Sequence, residues 1–213
     1  MTITKLDPRL RHIHLRTLVF ISGLAMLSIQ LPAWAEASAQ TDRNTPMMNT
    51  QGIFNYVDYS ANFASSGQPT KDQLFELKEK GFQRIVYIAF TDHERSLPAE
   101  DRIVKQLGLD YVHIPVEWTS PLQREYDAFA NAMAADSGLK TLLHCQANFR
   151  ASVFAMLYRV LEQGVPLKQA KADMNEVWVP NTVWTNFAQE VLLNNNVNPD
   201  CTGCDWTPST IGE

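Results

Sequence analysis

A cysteine and an arginine separated by four residues, in the stretch "LLHCQANFRASVF" (142–154), are the side chains of this sequence best suited to group-transfer chemistry. Cys145 ends an apolar run, and a helix-like apolar pattern follows Arg150. A loop between a strand and a helix gathers backbone N–H groups around one point, and the helix aims its positive end at the same point. Such a field stabilises a thiolate, which is a nucleophile. Arg150 adds a planar fork of donors that matches phosphate oxygens. The intervening Gln146, Ala147, Asn148 and Phe149 would wrap the bound anion. Asn148 is the residue among them best able to take left-handed backbone. This chemistry calls for neither a metal nor a cofactor.

The elements that must position this loop read as alternating strands and helices. "YSANFASSGQPT" suggests a short strand ending at a turn marked by Gly67 and Pro69. Thr70 and Gln73 fit a capping box for the helix in "KDQLFELKEK", which Gly81 closes. "FQRIVYIAF" (82–90) and "LDYVHIPVEW" (109–118) read as strands around the short helix "AEDRIVKQLG". Ser120 as cap and Pro121 in the first turn open a helix through "PLQREYDAFANAMAAD". "KTLLHC" (140–145) is apolar almost throughout, as expected of a central strand covered on both faces. A helix over "RASVFAMLYRVLEQG" and two more divided by Pro180 follow. This order gives one α/β domain with a central, mostly parallel sheet flanked by helices.

The first 35 residues read differently. Lys5, Arg9, Arg11 and Arg16 precede an apolar stretch, Thr17 to Leu31, and Ala33-Trp34-Ala35 offers a cleavage site before Glu36. That is the pattern of a bacterial secretory signal, and it is short for a membrane span. The expected organisation is a signal peptide at 1–35, a linker at 36–52, a domain at 53–194 that carries the cysteine loop, and a C-terminal tail at 195–213 with the CxxC pair. The protein would be periplasmic or secreted, with no stable membrane insertion after cleavage. Without the leader the chain keeps 14 basic and 22 acidic residues, a net charge of −8. That balance argues against nonspecific binding of nucleic acid. In an oxidising compartment the simplest pairing of the three cysteines joins Cys201 to Cys204 and leaves Cys145 free.

Four stretches, "SSGQPT", "YVHIPVEWTSP", "LLHCQANFRAS" and "VWVPNTVWTNF", carry a family likeness over about residues 53–194. The chain resembles cysteine-dependent protein tyrosine phosphatases of the dual-specificity type. It is similar in particular to a bacterial exported group related to the phosphatase-like domain of β-lactamase hydrolase-like proteins. The resemblance implies hydrolysis of a phosphomonoester through a cysteinyl-phosphate on Cys145, with Arg150 and the loop amides holding the phosphoryl group. It implies a phosphorylated substrate as the partner. It also implies a role for Ser152 in breakdown of the intermediate, while the residue pattern alone equally makes Ser152 a first-turn helix residue.

Two features depart from the family pattern. The loop is one residue shorter between cysteine and arginine than in those phosphatases, and matches the length found in rhodanese-like sulfurtransferases. The aspartate that protonates the leaving group in the family is missing from "VEWTSP". Glu117 is the only carboxylate there and the first candidate for a general acid, with Asp92 and Glu94 behind it. Two alternatives stay open on these grounds: a sulfurtransferase carrying a Cys145 persulfide, and a catalytically degenerate module that binds an anion or a partner. His144 and His113 read as structural, Trp118, Trp178 and Trp184 as core or rim. Cys201 or Cys204 could also resolve an oxidised Cys145.

Overall fold

The computed structural model describes residues 52–210. The candidate leader at 1–35, linker residues 36–51 and the last three residues of the tail lie outside the described residues. The described elements run β1 (Val57–Ser60), β2 (Phe63–Ser66), α1 (Lys71–Glu79), β3 (Arg84–Tyr87), α2 (Glu100–Gln106), β4 (Asp110–His113), α3 (Gln123–Ala135), β5 (Thr141–His144), α4 (Phe149–Leu161), α5 (Leu167–Val177) and α6 (Thr182–Asn194). The sheet order is β1-β2-β5-β3-β4, with β1 antiparallel to β2 and every other pairing parallel. The α/β class and the mostly parallel sheet are those expected. The added feature is the β1–β2 hairpin, where the sequence suggested one strand.

Side-chain alternation splits the sheet's two faces. Ala64, Ile85 and Leu142 pack with Leu74 and Leu77 of α1 and Val104 of α2. Their neighbours Phe63, Val86 and Leu143 point the other way, into a larger core with α3 to α6. The result is three layers. β5 is buried along its whole length, as its apolar run requires, with β2 on one side and β3 on the other. Its centrality decides where the chemistry can be: Ser66, Tyr87 and His144 share one register level, so the chain leaves β2, β3 and β5 at the same edge.

The expected capping box forms at α1: Thr70 Oγ1 accepts from the Gln73 N–H at 3.2 Å, and Gln73 Oε1 accepts from the Thr70 N–H at 2.9 Å. α3 begins later than Ser120 and Pro121 suggested. Leu122 is extended, and the Glu125 carboxylate accepts its N–H at 2.9 Å, so the acid three residues on fixes the start. β3 and β4 are also shorter than their apolar runs. Both leave the ladder after four residues, and the freed segments, 88–98 and 114–122, build the rim of the site. Among the described residues no helix is long and apolar enough to cross a membrane.

Among its described residues, 195–210, the tail has neither helix nor strand, yet it is packed. Cys201, Cys204 and Trp206 lie against the larger core, and Lys171 Nζ of α5 sits 4.8 Å above the Trp206 ring. Trp206 Nε1 donates to Pro199 O at 2.9 Å, and the Ser209 N–H donates to Pro180 O at 3.0 Å.

Candidate active site

Cys145 follows the last residue of β5 and is only 1% exposed. It lies at the base of a cleft of about 430 Å³ whose walls include His93, Glu94, Arg95, Trp118, Phe149 and Arg150. This is the carboxyl edge of a parallel sheet, where α/β proteins bind their ligands. The loop from Cys145 enters α4 through Asn148, whose φ of 68° is left-handed. Asparagine takes that conformation at lower cost than other residues with a side chain, so the position read from sequence is the position used.

The outer side of the loop is held by hydrogen bonds. Gln146 O accepts from the Gln68 N–H at 3.1 Å and Ala147 O from Asn55 Nδ2 at 3.0 Å. Asn148 returns the contact, its Nδ2 donating to Asn55 O at 2.6 Å. Asn148 O takes the Ser152 N–H at 2.8 Å, and Phe149 O takes Trp178 Nε1 at 3.0 Å. A trans peptide points its C=O and the next N–H in opposite directions. Fixing the carbonyls of Gln146, Asn148 and Phe149 outward therefore turns the N–H groups of Ala147, Phe149 and Arg150 inward. Among the described residues none of these three finds a protein acceptor. They form a pre-built donor set at a helix N-terminus, suited to an oxyanion. Gly67 makes the clamp possible: a Cβ there would come within 3.0 Å of both Gln146 O and Phe54 O.

Arg150 is placed rather than loose. Its Nε donates to Val116 O at 3.1 Å, its Nη1 to Gln146 Oε1 at 2.8 Å, and its guanidinium lies 5.1 Å from the Trp118 ring centre. Nη2 has no protein partner among the described residues, and the side chain lines the cleft with Cys145. The aromatic platform beneath is braced in turn. Trp118 contacts Trp178 and Trp184 with ring centres 5.5 Å apart, Phe149 stacks on Trp178 at 4.7 Å, and Trp184 Nε1 donates to Trp118 O at 3.0 Å. The three tryptophans thus hold the loop after β4 against the start of α4.

The other sequence candidates divide. Glu117 is exposed, spends its Oε1 on the Trp118 N–H at 2.8 Å, and is not among the residues lining the cleft. Asp92 is likewise off the wall, whereas Glu94 is on it with His93 and Arg95. His93 and Arg95 have no motif that marks them in the sequence; their one signal is their place just past β3, and only the strand order shows β3 to be the neighbour of β5. Ser152 is fully buried with its Oγ bonded to Phe149 O at 3.0 Å, so it serves the first turn of α4 and does not line the cleft. Cys201 and Cys204 are joined, and Cys145 is a free thiol. The joined pair lies beside Lys168 of α5, away from the cleft walls.

Behind the loop lies a buried polar pair. His144 Nε2 approaches Glu100 Oε1 at 3.3 Å, off the line a hydrogen bond needs. Burial lowers the His144 imidazole to about 3 and raises the Glu100 carboxyl to about 7, the latter against hydrogen bonds from Gln68 and Tyr111 and with Asp101 adding to the rise. The pair is thus a neutral imidazole beside a carboxyl that is half protonated near neutrality, not an ion pair. A carboxyl raised in the fold contributes stability below its unfolded value of 4.5, lost as pH rises through about 7. The His144 contribution runs oppositely and is common to wild type and a Glu100→Gln variant, so their difference isolates the carboxyl. Glu100→Gln is expected to gain thermal stability relative to wild type between pH 5 and pH 8, by on the order of 5–10 °C in Tm. A difference in Tm that stays flat with pH would show that Glu100 ionises without cost.

A family profile described as DSP-PTPase phosphatase fused to NAD+ kinase matches residues 29–187. The β-lactamase hydrolase-like protein of Xylella fastidiosa is 30% identical over 109 residues, 50% of this chain and 25% of that one, so the chain spans about a quarter of its curated relative. A DUF442 protein of Shewanella putrefaciens CN-32, described as a candidate phosphatase, has a crystal structure with a TM-score of 0.63 at 32% identity, covering 68% of this chain and 95% of that one. P. aeruginosa TpbA in complex with phosphotyrosine aligns with a TM-score of 0.53 at 17% identity over 66% and 86% of the two chains, a likeness of fold. Matched along most of its length, including the whole cysteine loop and its clamp, the chain belongs to this family of dual-specificity-type phosphatase domains.

Proposed function

We propose that the chain is an exported phosphomonoester hydrolase of the tyrosine or dual-specificity type, working through a cysteinyl-phosphate on Cys145. The observation that carries this reading is a free thiol that shares its cleft with loop residues whose N–H groups have no protein acceptor among the described residues, and with a fixed Arg150. The Cys145 thiolate attacks phosphorus and the bond to the leaving oxygen breaks. The Ala147, Phe149 and Arg150 N–H groups and Arg150 Nη2 hold the three equatorial oxygens as charge builds on them. Glu94, the carboxyl on the cleft wall, gives its proton to the leaving oxygen. Water then attacks phosphorus, the S–P bond breaks, Glu94 takes the water's proton, and inorganic phosphate departs with the thiolate restored.

The four-residue spacing from Cys145 to Arg150 supports a second reading, sulfur transfer through a Cys145 persulfide. One experiment separates the two. The protein from residue 36 onward, kept reduced, is assayed on p-nitrophenyl phosphate and on thiosulfate with cyanide as acceptor, and acid-quenched during phosphate-ester turnover. The proposal expects hydrolysis and a phosphate bound to Cys145 in the quenched protein. Thiocyanate formation without hydrolysis would replace it with the second reading.

A further inference from the structure

A second cleft of about 440 Å³ opens beside the first, and Arg95 and Gln146 face both. Its character differs. Phe54, Pro69, Leu97 and Pro98 supply apolar walls, and Gln68, Thr70, Arg95, Ser96 and Gln146 complete the lining. Phe54 is 58% exposed, a large ring left facing the opening. The walls are anchored to the elements that build the anion loop. Phe54 O accepts the Gly67 N–H at 2.8 Å, next to the Gln68 that holds Gln146. On the other side Ser96, immediately before Leu97, has its Oγ bonded to Phe90 O at 2.9 Å and paired with Tyr87 Oη at 2.7 Å, and Tyr87 Oη also accepts from Gln146 Nε2 at 3.0 Å. Between the clefts, the Arg95 side chain makes no hydrogen bond or ion pair among the described residues.

We infer that this second cleft is a substrate subsite, and that the substrate is a phosphomonoester carrying an apolar body, a ring or hydrocarbon segment, beyond the phosphorylated group. The inference rests on the phosphatase reading for the first cleft. The two clefts share Gln146 and Arg95 in their walls, so a molecule with its phosphoryl group over Cys145 has the second cleft as its nearest apolar neighbour. Apolar surface removed from water against Phe54, Leu97 and Pro98 provides affinity. A polyol such as a sugar or inositol phosphate would set hydroxyls rather than hydrocarbon against Phe54, Leu97 and Pro98, and would gain less from those walls. Arg95 stands at the seam, where it meets the outer phosphoryl oxygen or a second acidic group on the substrate.

Phenyl phosphate and 4-benzylphenyl phosphate share a phenolic leaving group and differ in the added ring. The subsite predicts a KM lower by about tenfold for the benzyl compound, a factor set by burying one ring. Phe54→Ala and Leu97→Ala should each shrink that gap in proteins that melt as wild type does. Equal KM values for the two esters, or a gap that survives both variants, would overturn the subsite. Calorimetry with phenylphosphonate and 4-benzylphenylphosphonate reads the same preference without turnover. A binding preference in a protein that hydrolyses neither ester would keep the subsite and discard the phosphatase reading. Binding without preference would discard the subsite whatever the protein hydrolyses.

Discussion

Cys145→Ser is expected to lose hydrolysis of p-nitrophenyl phosphate by about 10⁴-fold or more, because a nucleophile and the groups around it act as a unit. The same variant should still bind inorganic tungstate or phosphate, since serine leaves the clamp from Asn55 and Gln68 intact. Arg150 divides the effect differently. Arg150→Ala should cost about 10²–10³-fold in kcat/KM, the scale of losing a fixed donor to developing charge. Arg150→Lys should recover little of it. Two of the guanidinium's donors are committed to Val116 O and Gln146 Oε1, and an ammonium cannot hold both and still reach the anion. Activity kinetics on all three, with tungstate affinity beside them, checks the division. Full activity in Cys145→Ser would remove the covalent mechanism altogether. Full activity in Arg150→Ala would mean that the short loop holds the anion with its amides alone.

How much of this was legible beforehand depends on sequence distance. The capping box at Thr70 and Gln73, the buried strand before Cys145 and the left-handed Asn148 are local: side-chain chemistry fixes them within a few residues. The loop's orientation is not local. Asn55 and Asn148, more than 90 positions apart, clamp each other, and nothing in "IFNYVD" marks Asn55 as part of a phosphate loop. Strand order is the larger gap. A sequence shows that β3 and β4 each precede a loop, but not that β3 is the strand beside β5. The family likeness directed attention to the loop after β4, where Glu117 stands. That loop instead contributes Val116 and Trp118 as the seat of Arg150, while the loop after β3 brings His93, Glu94 and Arg95 to the cleft. Ser152 illustrates the same ambiguity at short range: its position fits both a catalytic hydroxyl and a helix-turn residue, and its Oγ bonds Phe149 O in the first turn of α4.

The choice of acid leads to the second large effect, which depends on the leaving group. p-Nitrophenolate is stable enough to depart without a proton, so Glu94→Gln should reduce its hydrolysis only several-fold. Phenyl or alkyl phosphates need protonation as the bond breaks, and there the same variant should lose about 10²–10⁴-fold, the range of general acid catalysis. Plotting log kcat/KM against leaving-group pKa would show this as a steeper dependence in Glu94→Gln than in wild type. Glu117→Gln should leave the slope alone, since its carboxylate is engaged with the Trp118 N–H outside the cleft wall. His93 is the neighbour that tests the assignment most sharply. Its Nδ1 accepts the Arg95 N–H at 3.0 Å, so a neutral ring carries its proton on Nε2 and could itself donate. A steepened slope in His93→Asn with none in Glu94→Gln would move the proton to the imidazole. A steepened slope in Glu117→Gln would require the loop after β4 to swing over the thiol when substrate binds.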